Sequence, residues 1–96
     1  MSYVMIRHKV ANYAKWKRVV KSLAKWRKAS GEKCFYVCRS SRNPNDLLVW
    51  CEWDTAARAK KFIKSAELRK RMKEAGVVSK PEVSLWDKME ILTVDK

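Results

Sequence analysis

Apolar and polar residues alternate from Tyr3 to Val10. Val4, Ile6, His8 and Val10 fall on one side, and Tyr3, Met5, Arg7 and Lys9 on the other, which predicts a strand. Asn12 is suited to cap a helix. Beyond it Tyr13, Trp16, Val20, Leu23 and Ala24 recur at helical spacing, with Val19 beside them. Lys15, Arg18, Lys21, Lys25 and Lys28 take the wet side, so one amphipathic helix is expected up to Ser30-Gly31. Lys33 to Ser41 reads as a second strand, with Phe35 and Val37 on one face and Cys34, Tyr36 and Cys38 on the other. A turn at Arg42 to Asp46 follows, in which Pro44 presets one backbone angle and Asn tolerates a tight bend. Leu47 to Trp53 is the most apolar segment and is placed centrally in the sheet, covered on both faces. Asp54 and Ser65 are the expected caps of two further helices, whose inner stripe is Ala59, Phe62, Ile63, Ala66, Leu68 and Met72. Gly76 is a suitable Schellman-type stop. Pro81 opens a last strand through Val83, Leu85, Asp87 and Met89 that ends near Leu92.

The order βαββαβ with right-handed crossovers puts the helices on one face of a four-stranded antiparallel sheet, an α+β ferredoxin-like fold. Residues 1–96 are read as a single domain. The other sheet face is left to display Met5, Tyr36, Cys38, Leu48, Trp50 and Trp86. An apolar patch of that extent marks a partner site. A second copy is the expected partner, sheet against sheet, in a homodimer closing a shared barrel.

Composition narrows the functional classes. The 96 residues are 47% hydrophobic with five Trp, which describes a packed protein and not a basic disordered tail. No apolar run approaches the roughly 20 residues that span a bilayer, so no membrane is expected. The N-terminus enters a strand pattern at once, without the segments of a secretory signal. Three cysteines, an odd number, favour a reducing, cytoplasmic setting over a disulfide framework. Cys34 and Cys38 stand about 13 Å apart on one strand and cannot bridge. Cys38 and Cys51 could approach across a hairpin, although small buried thiols are the preferred reading. With one histidine, no zinc-type ligand set arises. The net charge of +13 attracts anions of many kinds, and most of it lies on the helices.

Several segments resemble the antibiotic biosynthesis monooxygenases of the dimeric α/β-barrel superfamily. They are Arg7-His8-Lys9-Val10 leading to Trp16-Lys17, and Arg39 with Asn43-Pro44-Asn45. The likeness continues through Glu52-Trp53-Asp54, Ala59, Phe62, Ser65-Ala66-Glu67-Leu68-Arg69, Met72, Ala75-Gly76-Val77 and Pro81-Glu82-Val83. The resemblance implies a dimeric α/β barrel and a ligand cavity between sheet and helices. Its wall would be Val4, Ile6, His8, Val49, Cys51, Trp53 and Leu85, under a roof of Trp16, Val20, Phe62, Ile63 and Met72. It implies a cofactor-free monooxygenase-type activity on a small aromatic or polyketide-like molecule, with no bound metal or flavin required. Trp53 corresponds to a tryptophan that lines the pocket of heme-degrading relatives. Their iron-binding histidine on the next helix has no counterpart between Phe62 and Glu74, so heme degradation is not expected. One fold hosts many chemistries here, and activity has to be argued from the site.

Among single residues, His8 is the candidate general base, because imidazole titrates in the useful range. The alternative is a hydrogen-bonded structural histidine. Trp53 either stacks on a substrate ring or belongs to the core. Trp16, Phe62 and Met72 are core residues first and pocket lining if the cavity is open. Arg39 could grip a carboxylate or enolate oxygen, or pair with an acid across the dimer, and the latter is preferred. Glu52 in its apolar strand would either carry a raised pKa and do acid–base work or be neutralised by a basic partner, and pairing is preferred. A non-catalytic ligand-binding or stress-associated dimer remains the alternative to an enzyme. The cationic helix faces read as solvated surface, with phosphate-backbone binding by a basic nucleic-acid-binding module the less favoured alternative. Leu47 to Asp54 lacks the glycines and basic start of an RNA-recognition signature, so nucleic acid is not an expected partner.

Overall fold

A computed structural model describes residues 2–90, 92 and 93. The elements are β1 (Ser2–Lys9), α1 (Tyr13–Ser22), α2 (Ala24–Ser30), β2 (Glu32–Arg39), β3 (Asp46–Trp53), α3 (Ala56–Ile63), α4 (Ala66–Glu74) and β4 (Glu82–Trp86). The four strands form one antiparallel sheet in the order β2-β3-β1-β4, with the helices on one face, an α+β ferredoxin-like arrangement. Within one chain the sheet is open and has two edges, β2 and β4.

Alternation along the strands decides what is buried. Val4, Ile6, Leu47, Val49, Cys51 and Trp53 point under the helices and meet Trp16, Ala59, Phe62 and Ala75 in the core. β3 is central as expected, but only one of its faces is covered, and Leu48 on the other is 40% exposed.

Local chemistry explains the element ends, and several differ from expectation. The first helix is two helices. The chain turns at Leu23 (φ −96°, ψ 7°), just after the β-branched pair Val19-Val20 and Ser22, whose hydroxyl donates to the Val19 carbonyl at 2.6 Å. A serine that bonds its own preceding turn competes with the helical ladder. Gly31 closes α2 in the left-handed region (φ 118°), where a side chain is strained, and a Cβ there would stand 2.5 Å from Asp54 Oδ1 and would have to displace it. Thr55, and not Asp54, caps α3, accepting from the Arg58 N–H at 3.2 Å. Asp54 instead pairs with the Arg58 guanidinium. Ser65 caps α4 as read, accepting from the Leu68 N–H at 3.1 Å. The Schellman stop forms as well: the Val77 N–H reaches the Met72 carbonyl and the Gly76 N–H reaches that of Lys73, both at 3.1 Å.

β4 is shorter than expected. Its partner β1 supplies Tyr3 opposite Trp86, and beyond that pair β1 has almost run out, so the ladder ends at Trp86 and Asp87 to Glu90 lie outside the sheet. Ile91 lies outside the described residues. No helix covers β4, so Val83 and Leu85 are 40% and 36% exposed although they share the covered face of Ile6 and Val4.

Candidate functional site

Between sheet and helices lies an almost wholly apolar chamber of about 70 Å³. Its floor comes from β1 and β3 through Val4, Ile6, His8, Val49, Cys51 and Trp53. The roof comes from the helices through Trp16, Val20, Phe62, Ile63 and Met72. Of the wall expected from sequence only Leu85 is missing, since β4 has no helical roof. Trp16, Trp53, Phe62, Met72 and Cys51 therefore all line one space.

His8 is the polar residue of the floor. It sits on β1 opposite Leu47, is 4% exposed, and neither ring nitrogen has a hydrogen-bond partner among the described residues. Such orphaned buried nitrogens are rare and need a reason. Burial holds the imidazole below its usual pKa, with only a weaker opposing pull from Asp46, so the ring is neutral at pH 7. A neutral imidazole always presents one basic lone pair. The aromatic ring beside it is Trp16, with centroids 5.8 Å apart. Trp53 lies toward the other end of β3, next to Phe62 at 4.7 Å, and Phe62 in turn meets Trp26 at 4.8 Å. A substrate ring next to His8 would thus lie against Trp16 and not Trp53.

Cys51 is 3% exposed, and burial, reinforced by the nearby Glu32 carboxylate, pushes its thiol pKa up, so it stays protonated. It serves as wall and not as a nucleophile. Arg39 does not reach the chamber. It is exposed at the end of β2, with its guanidinium 3.8 Å from the centre of the Tyr13 ring and its Nε donating to the Pro44 carbonyl at 2.9 Å. Glu52 lies half-buried on the open sheet face, with Cys34 beside it, and pairs with no base among the described residues.

The sequence reading missed several lining residues, among them Trp26, Arg71 and one charged pair. Arg27 of α2 and Glu32 at the start of β2 form a buried ion pair in the chamber wall. Burial raises the Glu32 pKa, while Arg27 acts against that shift. The signal was present: Arg27 continues the stripe Trp16, Val20, Leu23 at helical spacing, so a basic residue occupies an inward position. Among the described residues no cluster of histidine, cysteine and carboxylate could hold a metal, and no helix is long and apolar enough to cross a membrane.

The architecture is that of solved antibiotic biosynthesis monooxygenases. A protein assigned to that group from Bordetella bronchiseptica is similar with a TM-score of 0.75 and 17% identity, over 93% of this chain and 97% of that one. SnoaB, a cofactor-independent oxygenase from Streptomyces nogalater, is similar with a TM-score of 0.73 and 14% identity, over 95% of each chain. A conserved protein from Methanosarcina mazei is similar with a TM-score of 0.70 and 17% identity, over 92% of each chain. No protein-family model and no curated relative matches the sequence. At such identities the likeness is one of fold, and the site must carry the functional argument.

Proposed function

We propose that this protein is a monooxygenase-type enzyme that works without a cofactor on a small electron-rich aromatic or polyketide-like molecule. The observation that carries this reading is His8: a neutral, unpartnered imidazole facing an apolar chamber beside an aromatic wall. In the reaction His8 removes a proton from an acidic C–H of the substrate. The resulting carbanion reduces O2, the two radicals combine to a hydroperoxide, and loss of water leaves a ketone. Overall a CH2 group and O2 become C=O and H2O, with all electrons supplied by the substrate. The apolar shell keeps bulk water from quenching the anion.

The chamber is about half the volume, roughly 150 Å³, of an engineered cavity that admits benzene. A bicyclic skeleton therefore needs the roof to move, and the half-buried Ile63 and Met72 are the side chains placed to do it. The test is oxygen uptake with two aromatic carbon acids, 1,3-indandione and anthrone. Wild type should consume oxygen above the uncatalysed rate, and His8→Ala should lower kcat about a hundredfold or more. Equal rates in the two proteins would remove His8 from the chemistry. The small chamber also favours a second reading, a non-catalytic ligand-binding dimer. Stabilisation by either probe without any oxygen uptake would select it.

The open sheet face supports the homodimer. Tyr36 and Trp50 pack with centroids 4.5 Å apart, Trp50 stacks with Tyr3 at 5.8 Å, and Trp86 pairs with Tyr3 across β1 and β4. This aromatic strip crosses all four strands, and Tyr36 and Trp86 are more than half exposed. Burying it against a second copy closes the barrel, and the free thiols suit the reducing cytoplasm.

A further inference from the structure

His8 is one of two polar poles in the chamber, and the Arg27–Glu32 pair is the other. On β3, His8 is paired with Leu47 and Glu32 with Trp53, so the poles stand six residues, about 20 Å, apart along the strand. Apart from Arg71, the rest of the lining is apolar.

The Arg27 guanidinium is fixed on three sides. It donates to Glu32, it donates to the Val20 carbonyl at 2.9 Å, and it lies 4.5 Å from the centre of the Phe35 ring. Its Nε–H is buried and has no acceptor among the described residues. Buried guanidinium donors are nearly always used. Arg71, the other arginine of the lining, is different. Its Nε, though poorly aligned for a hydrogen bond, lies 2.7 Å from Glu67, and its Nη1 lies 3.3 Å from Glu74, so two acids neutralise it. Arg27 has one acid, and burial makes that carboxylate costly to keep charged. Arg27, Glu32 and Phe35 also line a groove on the outer surface, together with Lys28, Lys33 and the Arg58–Asp54 ion pair, so its lining is net positive. The pair is therefore the partition between the chamber and a cationic groove, where an acidic group would be drawn.

Resting on the enzyme reading above, we infer that Arg27 selects the substrate: its free Nε–H receives the carboxylate of an elongated aromatic acid whose ring points toward Trp16 and His8. An apolar slot alone cannot tell an acid from its amide. A fixed guanidinium in low dielectric does so, because the acid meets it with an opposite full charge and the amide with only a dipole. Length matters equally, since a short acid held at Arg27 cannot bring its ring to His8.

The test uses phenylalkanoates from 3-phenylpropionate to 7-phenylheptanoate, each with its primary amide, titrated calorimetrically into the full chain. At the best-fitting length the acid should bind about tenfold or more tightly than the amide. Arg27→Met should abolish that preference by weakening the acid more than the amide, while His8→Ala should keep it. Should Arg27→Met not fold, Arg27→Lys, which retains charge without the Nε–H, should show a reduced preference. Equal binding of acid and amide, no binding by any probe, no dependence on length, or a preference that survives at Arg27 would each overturn the assignment. The enzyme reading fails separately: absence of oxygen uptake leaves the acid preference standing.

Discussion

His8 shows what burial without a partner does to one side chain. Its neutral form is favoured in the fold, so its pKa lies below that of the unfolded chain. The unfolded state then binds more protons between the lowered value and about 6.5, and the stability His8 contributes falls as pH drops through that window. Glu32 works in the opposite sense. Its raised pKa means that the folded state holds the extra proton, so its contribution is full below the unfolded value and is lost as pH rises through the folded one. His8→Leu removes the first effect and leaves the second. Urea unfolding at pH 7 and pH 5 should therefore show the variant gaining stability relative to wild type on acidification. A wild type that loses nothing relative to His8→Leu would mean that the imidazole has a partner in solution. An orphaned polar group kept at a stability cost is expected at sites that serve binding or chemistry.

The helices depend on small terminal devices because each is short. α3 and α4 have eight and nine residues, less than an isolated helix needs to persist in water. Their caps and inner stripes supply the difference. Ser65 does double duty: its hydroxyl accepts from the Leu68 N–H at 3.1 Å and donates to the Phe62 carbonyl at 2.7 Å, joining α3 to α4. Ser65→Ala should cost about 1 kcal/mol in equilibrium unfolding. Since Phe62, Ile63, Leu68 and Met72 all roof the chamber, the same change should also weaken ligand binding, and a destabilised variant with unaltered binding would separate the cap from the roof.

Charge is distributed unevenly across the molecule. Residues 13–30 and 55–75, the two helical segments, hold fifteen of the 23 basic residues and two of the ten acids, so the remainder of the chain is neutral in sum. All of the net +13 thus lies in the helical layer, and the open sheet face carries little of it. Arg7 on that face is already bound to Asp46 at 3.1 Å. Two copies meeting sheet to sheet would keep their cationic layers on opposite outer surfaces, where repulsion is screened within about 8–10 Å at ordinary salt. Sedimentation equilibrium should find a dimer, and Leu48→Lys with Trp86→Lys should give a folded monomer with more exposed tryptophan. A wild type that stays monomeric at micromolar concentration would leave the aromatic strip without an occupant and the barrel unclosed.

Much of this was legible along the chain. Alternation in β1 and β3 and helical spacing from Trp16 to Met72 determine which side chains point inward, because those periods follow from backbone geometry alone. The family resemblance implied a cavity between these inward faces, with Leu85 the exception: its inward face is set by alternation, but whether a helix lies above it depends on how far the helical layer extends. Ends and partners needed the folded molecule. Only packing shows that α1 stops at Leu23, that Asp54 is taken by Arg58 so that Thr55 becomes the cap, and that β4 ends where β1 has no more residues to offer. The arginine of the chamber is the sharpest case. Arg39 looked suitable by residue type and place in a strand, yet it lies over Tyr13 at the surface, while Arg27, five residues before Glu32, is folded inward beside it. Spacing assigns a face, but the pairing of two charges from different elements, and the burial that makes each one matter, exists only once those elements meet in space.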